Sequence, residues 1–445
     1  METAIKPTYR KILALALPIM FSQLVINIIG VTDMVFLGRV GTIELNAAGL
    51  TSLFYAVSTM VGLGLSRGTQ ILISKRLGEK RLDEIGSLAW NFMISCSILH
   101  IFILTILYFF TEEFLGILIK DPEIIKAGCR YLDYRIWGLL PSVISFLVLA
   151  FYTGIGNNKV IYYSTFIVVV TNVILNYGLI FGTWGLPEMG IAGAGLASTI
   201  AEFLAVIFAS VYMLMDKSIK SFNLFNKIGF NTKVQKNITN ISLPLILQYL
   251  VGLGSWLIFF SFIEKMGEIP LAVSIVMRWI YSFLMIPTIG FATVINTLIS
   301  NNLGMKNLEY ARISLKKVSV VSFVMVFAIS LLLFIIPNQL AAIFTDKAII
   351  ISEAPHLFPL LFGILILTSL SSITFNAVVG AGATRVTLVI QCLTVVAYLV
   401  YAYFIVHVFQ KGLGWVWFAD GIYWLILMIL SIAYLARKKW MKSFV

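Results

Sequence analysis

The sequence predicts an all-α polytopic membrane protein in which twelve transmembrane helices form two six-helix lobes related by a parallel pseudo-two-fold repeat. Three observations support this prediction. Of the 445 residues, 60% are hydrophobic and 12% are charged, whereas a soluble domain carries about 25% charged residues. Apolar runs recur that are long enough to cross a bilayer. The second half of the chain also repeats the first half in register.

Runs without Asp, Glu, Lys or Arg locate the spans. Residues 88–110, 318–337 and 386–408 are three such runs, and each has the roughly 20 residues that a helix needs to cross the hydrocarbon core. The chain as a whole yields twelve segments, centred near residues 24, 63, 99, 138, 171, 202, 252, 287, 327, 365, 397 and 425. The polar start runs into the first segment without a signal-peptide cleavage site, so this helix is expected to stay.

The Lys and Arg residues outside the spans predict the orientation. Most of them lie in the amino-terminal segment, in the loops after even-numbered spans and in the carboxy-terminal tail, and such an excess marks the cytoplasmic side. We therefore expect both termini in the cytoplasm and the protein in the plasma (inner) membrane. This bias also explains the net charge of +12, so nucleic acid is not an expected partner. The expected partners are a small-molecule substrate and the bilayer, with the protein as a monomer.

A single constant shift along the chain aligns the two halves. Pro18 then falls on Pro244, and Tyr55 falls on Tyr281. The same shift aligns Leu24 with Leu250, Gly41 with Gly267, Gly64 with Gly290, Gly78 with Gly304, Lys80 with Lys306, Gly154 with Gly380 and Gly156 with Gly382. Six spans per unit start both units on the same side of the membrane. Transporters with such parallel repeats bind substrate between the halves, and rocking of the halves gives alternating access.

The repeat also sets the expected domain boundaries. We expect an amino-terminal lobe at residues 1–220, a linker to about residue 236, and a carboxy-terminal lobe at residues 237–445. Each half contains a Gly-x-Gly sequence, in FYTGIGNNK and in GAGATR. Both sequences follow a membrane helix and lack the strand and the lysine-serine pattern of a phosphate-binding loop. They are therefore predicted to be tight turns between helices.

Asp33 is the ionisable residue that most needs an explanation. It lies within INIIGVTDMVFLGRVG, and an aspartate at bilayer depth costs on the order of 3 kcal/mol on insertion scales. A Na⁺ site could combine its carboxylate with amide and hydroxyl oxygens, or the carboxyl group could carry a proton. The alternative is an aspartate near the outer interface that pairs with Arg39.

Several stretches resemble the multidrug and toxic compound extrusion (MATE) transporters. The family's first-helix signature with its aspartate is similar to LPIMFSQLVINIIGVTDMVFLGRVG, and its paired turns are similar to FYTGIGNNK and GAGATR. Its fifth and sixth helices resemble TNVILNYGLIFG and GIAGAGLASTIAEF. The resemblance covers nearly the whole chain. It implies that export of a solute is coupled to inward flow of Na⁺ or H⁺, with Asp33 in the coupling site and no other cofactor.

The resemblance also places a polar pair on the fifth helix, which here is Asn172 and Asn176. Their i, i+4 spacing puts them on one helical face. One branch of the family has an aspartate at the second position, and Asn176 departs from it. Ser198 or Thr199 could add a hydroxyl oxygen, and Na⁺ coupling would use Asp33, Asn172 and Asn176 as ligands.

Another branch has acids on the seventh and tenth helices. Gly252 and Thr368 occupy those places in this chain, so coupling is expected through the first lobe alone.

Further charged residues lie inside spans, where each needs water or a partner. Arg278 either pairs with an acid of its own lobe or faces the central cavity, where it would contact an anionic or zwitterionic substrate. Asp420 needs a partner in the same way. Glu202 and Arg67 could join Asp33 in one network, or Glu202 could lie between helices as a separate proton carrier.

Three further residues complete the candidates. Arg135 is expected to pair with Asp133 at the outer end of the fourth helix. Tyr55 and Tyr281, which the repeat relates, could line a cavity for flat or cationic ligands.

The sequence thus predicts a secondary antiporter that exports small amphiphilic solutes. A flippase for lipid-linked oligosaccharide is the alternative, and an enzyme is disfavoured by the lack of a hydrolytic motif and a metal-ligand cluster.

Overall fold

The computed structural model describes residues 5–224 and 228–437. The structure is 88% helical, which confirms the all-α prediction. In the first half the helices are α1 (Tyr9–Val40), α2 (Thr42–Gly78), α3 (Ile85–Leu118), α4 (Pro122–Arg135), α5 (Leu139–Ile155), α6 (Lys159–Phe181) and α7 (Ile191–Met215). In the second half they are α8 (Thr232–Glu264), α9 (Glu268–Leu284), α10 (Ile286–Gly304), α11 (Leu308–Ser330), α12 (Leu332–Ile335), α13 (Pro337–Ala342), α14 (Ala348–Glu353), α15 (Phe358–Gly380), α16 (Thr384–Tyr403) and α17 (Leu413–Ala436).

The number of spans agrees with the prediction. In the described part of the chain, 11 helical segments are long and apolar enough to cross a membrane, and a bent pair brings the number to 12. The bent pair is α9 and α10, which meet at an angle of 46°. Pro287 lies in the first turn of α10 and explains the break, because proline lacks the amide hydrogen and its ring clashes with the preceding turn.

The backbone repeats at the same spacing as the sequence. Gly156 and Gly382 have φ values of 73° and 74°, and Lys80 and Lys306 have φ values of 62° and 57°. A residue other than glycine rarely adopts positive φ. The recurrence of this conformation at two lysines that the repeat relates therefore shows that the two halves make the same turn.

The Gly-x-Gly sequences form helix C-caps, as predicted. After α5, the N–H of Asn157 donates to the carbonyl oxygen of Tyr152 at 2.9 Å. The equivalent bond after α15 joins Ala383 to Val378 at 3.3 Å. These bonds span five residues and satisfy helix-end carbonyl groups, as in a Schellman motif. The turns therefore connect helices.

The chain divides into two compact units. Among the described residues, the amino-terminal unit contains Phe21–Arg76 and residues from 81 to 242, whereas residues 5–20 and Leu77–Lys80 group with residues 243–437 in the carboxy-terminal unit. The predicted lobe boundaries at residues 220 and 237 stay a prediction. Linker residues 225–227 and the basic tail after residue 437 lie outside the described residues.

Each unit has its own apolar core. In the amino-terminal unit, Leu37 of α1, Leu107 of α3 and Leu132 of α4 are almost fully buried. In the carboxy-terminal unit, Met277 of α9 and Trp417 of α17 are fully buried. Because lipid gives no hydrophobic driving force between spans, close packing and polar contacts must hold these helices together. The polar contacts lie where the candidate sites are.

Candidate cation-coupling site

Asp33 ends a line of hydrogen bonds in the amino-terminal unit. Asn176 Nδ2 donates to Asp33 Oδ1 at 2.5 Å and to Asn172 Oδ1 at 3.1 Å. Asn172 Nδ2 in turn donates to Ser198 Oγ at 3.0 Å. The line joins α1 to α6 and α6 to α7. The structure thus brings together four of the five residues that were predicted to bind the coupling cation.

The geometry of α6 explains this line. Asn172 and Asn176 are one helical turn apart and share a face, and both are at most 1% exposed. The side-chain oxygen Oδ1 of Asn176 is buried without a hydrogen-bond partner. An unsatisfied buried polar atom costs about 1–3 kcal/mol. An oxygen of this kind beside a carboxylate has the chemistry of a cation ligand.

Thr199 lies apart from this line. Its Oγ1 donates to the backbone carbonyl oxygen of Tyr134 at 2.9 Å, so the hydroxyl group links α7 to α4. Ser198 and Thr199 are adjacent on α7, and adjacent helical residues point about 100° apart. Only one of the two hydroxyl groups can therefore face Asn172.

Glu202 forms an ion pair with Arg135. Arg135 Nη1 lies 2.9 Å from Glu202 Oε2, and Nη2 lies 2.5 Å from Oε1. Arg135 is 9% exposed, whereas Asp133 is exposed. The predicted pair between Arg135 and Asp133 is therefore wrong. Residues two apart on a helix point to different faces, and the face of Arg135 is turned toward α7.

Tyr55 completes this ion cluster. Its hydroxyl group donates to Glu202 Oε2 at 3.1 Å, and the guanidinium carbon of Arg135 lies 3.6 Å from the centre of the Tyr55 ring. Gly138 makes room for the cluster, because a Cβ at this position would collide with the side chains of Arg135 and Glu202. No sequence pattern singles out Gly138, and only the three-dimensional contact identifies it.

Arg67 does not join Asp33 or Glu202. Its Nη1 donates to Gln70 Oε1 at 3.2 Å. Arg67 lies twelve residues after Tyr55 on the same helix, which is about 18 Å along the axis at 1.5 Å per residue. The expected network of three charged residues is thus wrong for Arg67.

Arg278 lies beside two neighbouring aromatic rings in the carboxy-terminal unit. Its guanidinium carbon lies 5.6 Å from the ring centres of both Trp256 and Phe260, and the side chain is exposed. Within residues 5–224 and 228–437, no acid forms an ion pair with it. The expected pairing with an acid of its own lobe is therefore wrong, because the neighbouring face of α8 presents aromatic residues.

Asp420 and Tyr281 lie together inside the carboxy-terminal unit. They are 6% and 5% exposed. Trp424 Nε1 donates to the hydroxyl group of Tyr281 at 2.9 Å, and Thr368 Oγ1 lies 3.4 Å from the same hydroxyl oxygen. Tyr281 thus belongs to a polar cluster, as its repeat partner Tyr55 does.

The fold and the site define a class: a helical membrane transporter with two parallel repeats and acids among its spans. The family model MatE matches residues 18–178 and again residues 244–404. The offset between the two matches equals the spacing of the internal repeat. The chain belongs to the MATE family, whose members are transporters with ion coupling.

Known proteins are similar over most of the chain. A probable multidrug resistance protein NorM of Thermotoga maritima is 26% identical over 422 residues, which are 92% of this chain and 89% of that protein. A multidrug resistance protein MdtK of Photorhabdus laumondii is 24% identical over 381 residues, which are 84% of this chain and 81% of that protein.

A solved structure confirms the fold. It is described as the outward-facing conformation of a multidrug resistance MATE family transporter of the MOP superfamily. Its TM-score with this chain is 0.91 at 20% identity, over 99% of this chain and 97% of that one. The predicted architecture of two six-helix lobes is thereby confirmed.

Proposed function

We propose that the protein is a secondary antiporter that exports small amphiphilic solutes or drugs in exchange for Na⁺ or H⁺ by alternating access. The observation that carries this proposal is that Asp33 contacts the side chain of Asn176 and not a basic side chain. Among the described residues, neither Arg39 nor any other basic side chain forms an ion pair with Asp33. The names of the relatives support multidrug export, and they do not favour the alternative of a flippase for lipid-linked oligosaccharide.

The chemistry of the line suits either coupling ion. Na⁺ would find a carboxylate oxygen of Asp33 and the side-chain oxygens of Asn172 and Asn176, with Ser198 Oγ as a further donor. Hard cations bind such oxygen ligands. A proton would instead bind the carboxylate of Asp33 directly. In both cases the arriving cation neutralises a charge that is costly within the membrane.

The bond between Asp33 and Asn176 gives a means of coupling. The N–H group of Asn176 donates to a charged carboxylate, and hydrogen bonds to charged groups are stronger than those between neutral groups. Neutralisation of Asp33 weakens this bond, so the contact between α1 and α6 differs between the two states. A cation shifts a conformational equilibrium only through such a difference in free energy.

Arg278 is the candidate contact for an anionic or zwitterionic solute. Its charge is exposed and without an acidic partner in the described part of the chain, and the rings of Trp256 and Phe260 extend beside it. An aromatic surface with one fixed positive charge suits a flat solute that carries an acid group. Arg278→Gln is expected to lower export of anionic solutes more than export of cationic ones, and unchanged transport of every solute would contradict this role.

The most direct test is transport in proteoliposomes under separate Na⁺ and H⁺ gradients. Asp33→Asn is expected to abolish gradient-driven export, because the neutral amide has no charge for a cation to neutralise. Asp133→Asn is the matched control: the same chemical change at an exposed position of α4, with export retained. Export by Asp33→Asn at the level of the parent protein would refute the proposal. The gradient that drives export by the parent protein identifies the coupling ion.

The same proposal places the protein in the plasma (inner) membrane with both termini in the cytoplasm. It is supported by the distribution of Lys and Arg, which orients short loops. We also propose that the protein acts as a monomer.

A further inference from the structure

We propose that Asp420 is a second ion-binding site, located in the carboxy-terminal unit, and that the ion it takes is a proton. This inference goes beyond the proposed role of Asp33. It replaces the expectation that the first lobe alone carries coupling. That expectation depended on Gly252 and Thr368, whereas Asp420 lies on α17.

The surroundings of Asp420 are polar on one side only. Trp424 and Tyr281 are the polar side chains beside it, and the N–H group of Trp424 donates to Tyr281. The second carboxylate oxygen, Oδ2, is buried and has no hydrogen-bond partner. Asp420 is 6% exposed, so bulk water outside the unit does not provide a hydrogen-bond partner for Oδ2. A carboxylate with one unsatisfied buried oxygen is costly.

No positive charge offsets Asp420 in the described part of the chain. The titratable groups that face it are tyrosines: Tyr281 on α9, Tyr398 on α16 and Tyr423 on α17. Helix α15 contributes the hydroxyl group of Thr368 to this cluster, through Tyr281. The charged residue Arg278 of α9 is exposed and stacks on aromatic rings instead. A buried acid without a countercharge is neutral unless a cation accompanies it.

The donor groups around Asp420 favour a proton over Na⁺. Trp424 offers an N–H group, which cannot bind a metal cation, and the hydroxyl oxygen of Tyr281 already accepts from it. A hard cation needs several oxygen ligands, and the cluster has too few that are free. A proton needs only one carboxylate oxygen. Its O–H bond breaks on release, and the proton passes to water with the electron pair left on the carboxylate.

The repeat shows that this site is not a copy of the Asp33 site. The shift that aligns the two halves places Phe259 at the position of Asp33, and Tyr398 and Ala402 at those of Asn172 and Asn176. It places Ala194 at the position of Asp420. Phe259 and Tyr398 pack with ring centres 5.2 Å apart. Each unit therefore has its acid at a position where the other unit has an apolar residue.

Infrared difference spectroscopy tests the proposal on the full chain in proteoliposomes, between acidic and alkaline buffers. The parent protein is expected to show the carbonyl band of a protonated carboxyl group that Asp420→Asn lacks and that Asp133→Asn retains. Tyr281→Phe is expected to shift the frequency and the titration midpoint of this band. A spectrum of Asp420→Asn identical to that of the parent would overturn the proposal.

Tyr281→Phe provides the test if Asp420→Asn does not fold. An unshifted band and midpoint in that variant would also overturn the proposal. Asp33→Asn separates this inference from the proposed function. If the band is absent from Asp420→Asn and Asp33→Asn still exports, the role of Asp33 is refuted and that of Asp420 is supported. If the band is present in Asp420→Asn and Asp33→Asn does not export, only the role of Asp420 is refuted.

Discussion

At the scale of single residues, the ion pair of Arg135 and Glu202 sets the charge balance of the amino-terminal unit. Arg135 is near enough for its charge to act on Asp33, yet its guanidinium group binds the carboxylate of Glu202 through two hydrogen bonds. The pair is neutral as a whole. Under the proposed function, Asp33 therefore keeps its negative charge for the coupling cation, with which a free arginine would compete.

Glu202→Gln is expected to destabilise the protein and to impair coupling. Removal of one partner from a fully buried ion pair costs about 3–5 kcal/mol, because it leaves the other charge uncompensated; the side chain of Glu202 is 25% exposed, so a smaller loss is expected here. The charge of Arg135 then competes with the cation at Asp33. Thermal unfolding in detergent and proteoliposome export measure the two effects.

The double variant Arg135→Gln with Glu202→Gln is the control. It has no uncompensated charge, so it is expected to unfold at a higher temperature than Glu202→Gln alone. Equal or lower stability of the double variant would contradict the importance of the pair.

At the scale of helices, glycines fix how closely the spans approach. A Cβ on Gly380 of α15 would lie 2.8 Å from the carbonyl oxygen of Asn296 on α10, and one on Gly154 of α5 would lie 3.1 Å from that of Gln70 on α2. The two glycines and the two facing residues are each related by the repeat. Small residues at such contacts allow membrane helices to pack backbone to backbone.

Two glycine substitutions on α15 are expected to change stability in opposite directions. Gly380→Ala forces α10 and α15 apart and lowers the unfolding temperature, since overpacking costs typically about 1–3 kcal/mol. A Cβ on Gly363 meets no atom within 4 Å, so Gly363→Ala gains up to about 1 kcal/mol of helix propensity. Thermal unfolding in detergent compares the two variants. A change in unfolding temperature of the same sign in both would argue against the close contact of α10 and α15.

At the scale of the whole molecule, sequence and backbone repeat together. The positive φ values at Lys80 and Lys306 and the C-caps at Gly156 and Gly382 recur at one spacing. The family model also matches both halves at that spacing. An even number of spans in each repeat gives both halves the same direction across the membrane, so the orientation of one loop predicts that of its counterpart.

The orientation can be measured with single cysteines. After replacement of Cys96, Cys129 and Cys392 by serine, Lys411→Cys is expected to react with an impermeant maleimide added outside intact cells. Lys233→Cys, at the start of α8, is expected to react only after the cells are opened, because its loop is predicted to be cytoplasmic. Both lysines are exposed. The reverse pattern of labelling would invert the predicted topology.

The sequence predicted the spans, the repeat and the turns because these depend on neighbouring residues. Apolar runs give the twelve helices, and glycine is favoured wherever the backbone adopts positive φ. It also selected Asp33 and the pair Asn172 and Asn176, since their depth and spacing can be read along one helix.

The partners of the charged groups were decided only by the tertiary structure. Asp33 meets Asn176 across 143 residues, and Arg135 meets Glu202 across 67. Such contacts depend on how far each helix is rotated and displaced against its neighbours, and adjacent residues can face different partners, as Ser198 and Thr199 do. For that reason the sequence determined which acids lie in the membrane, and the packing of the helices determined which of them remain free for a cation.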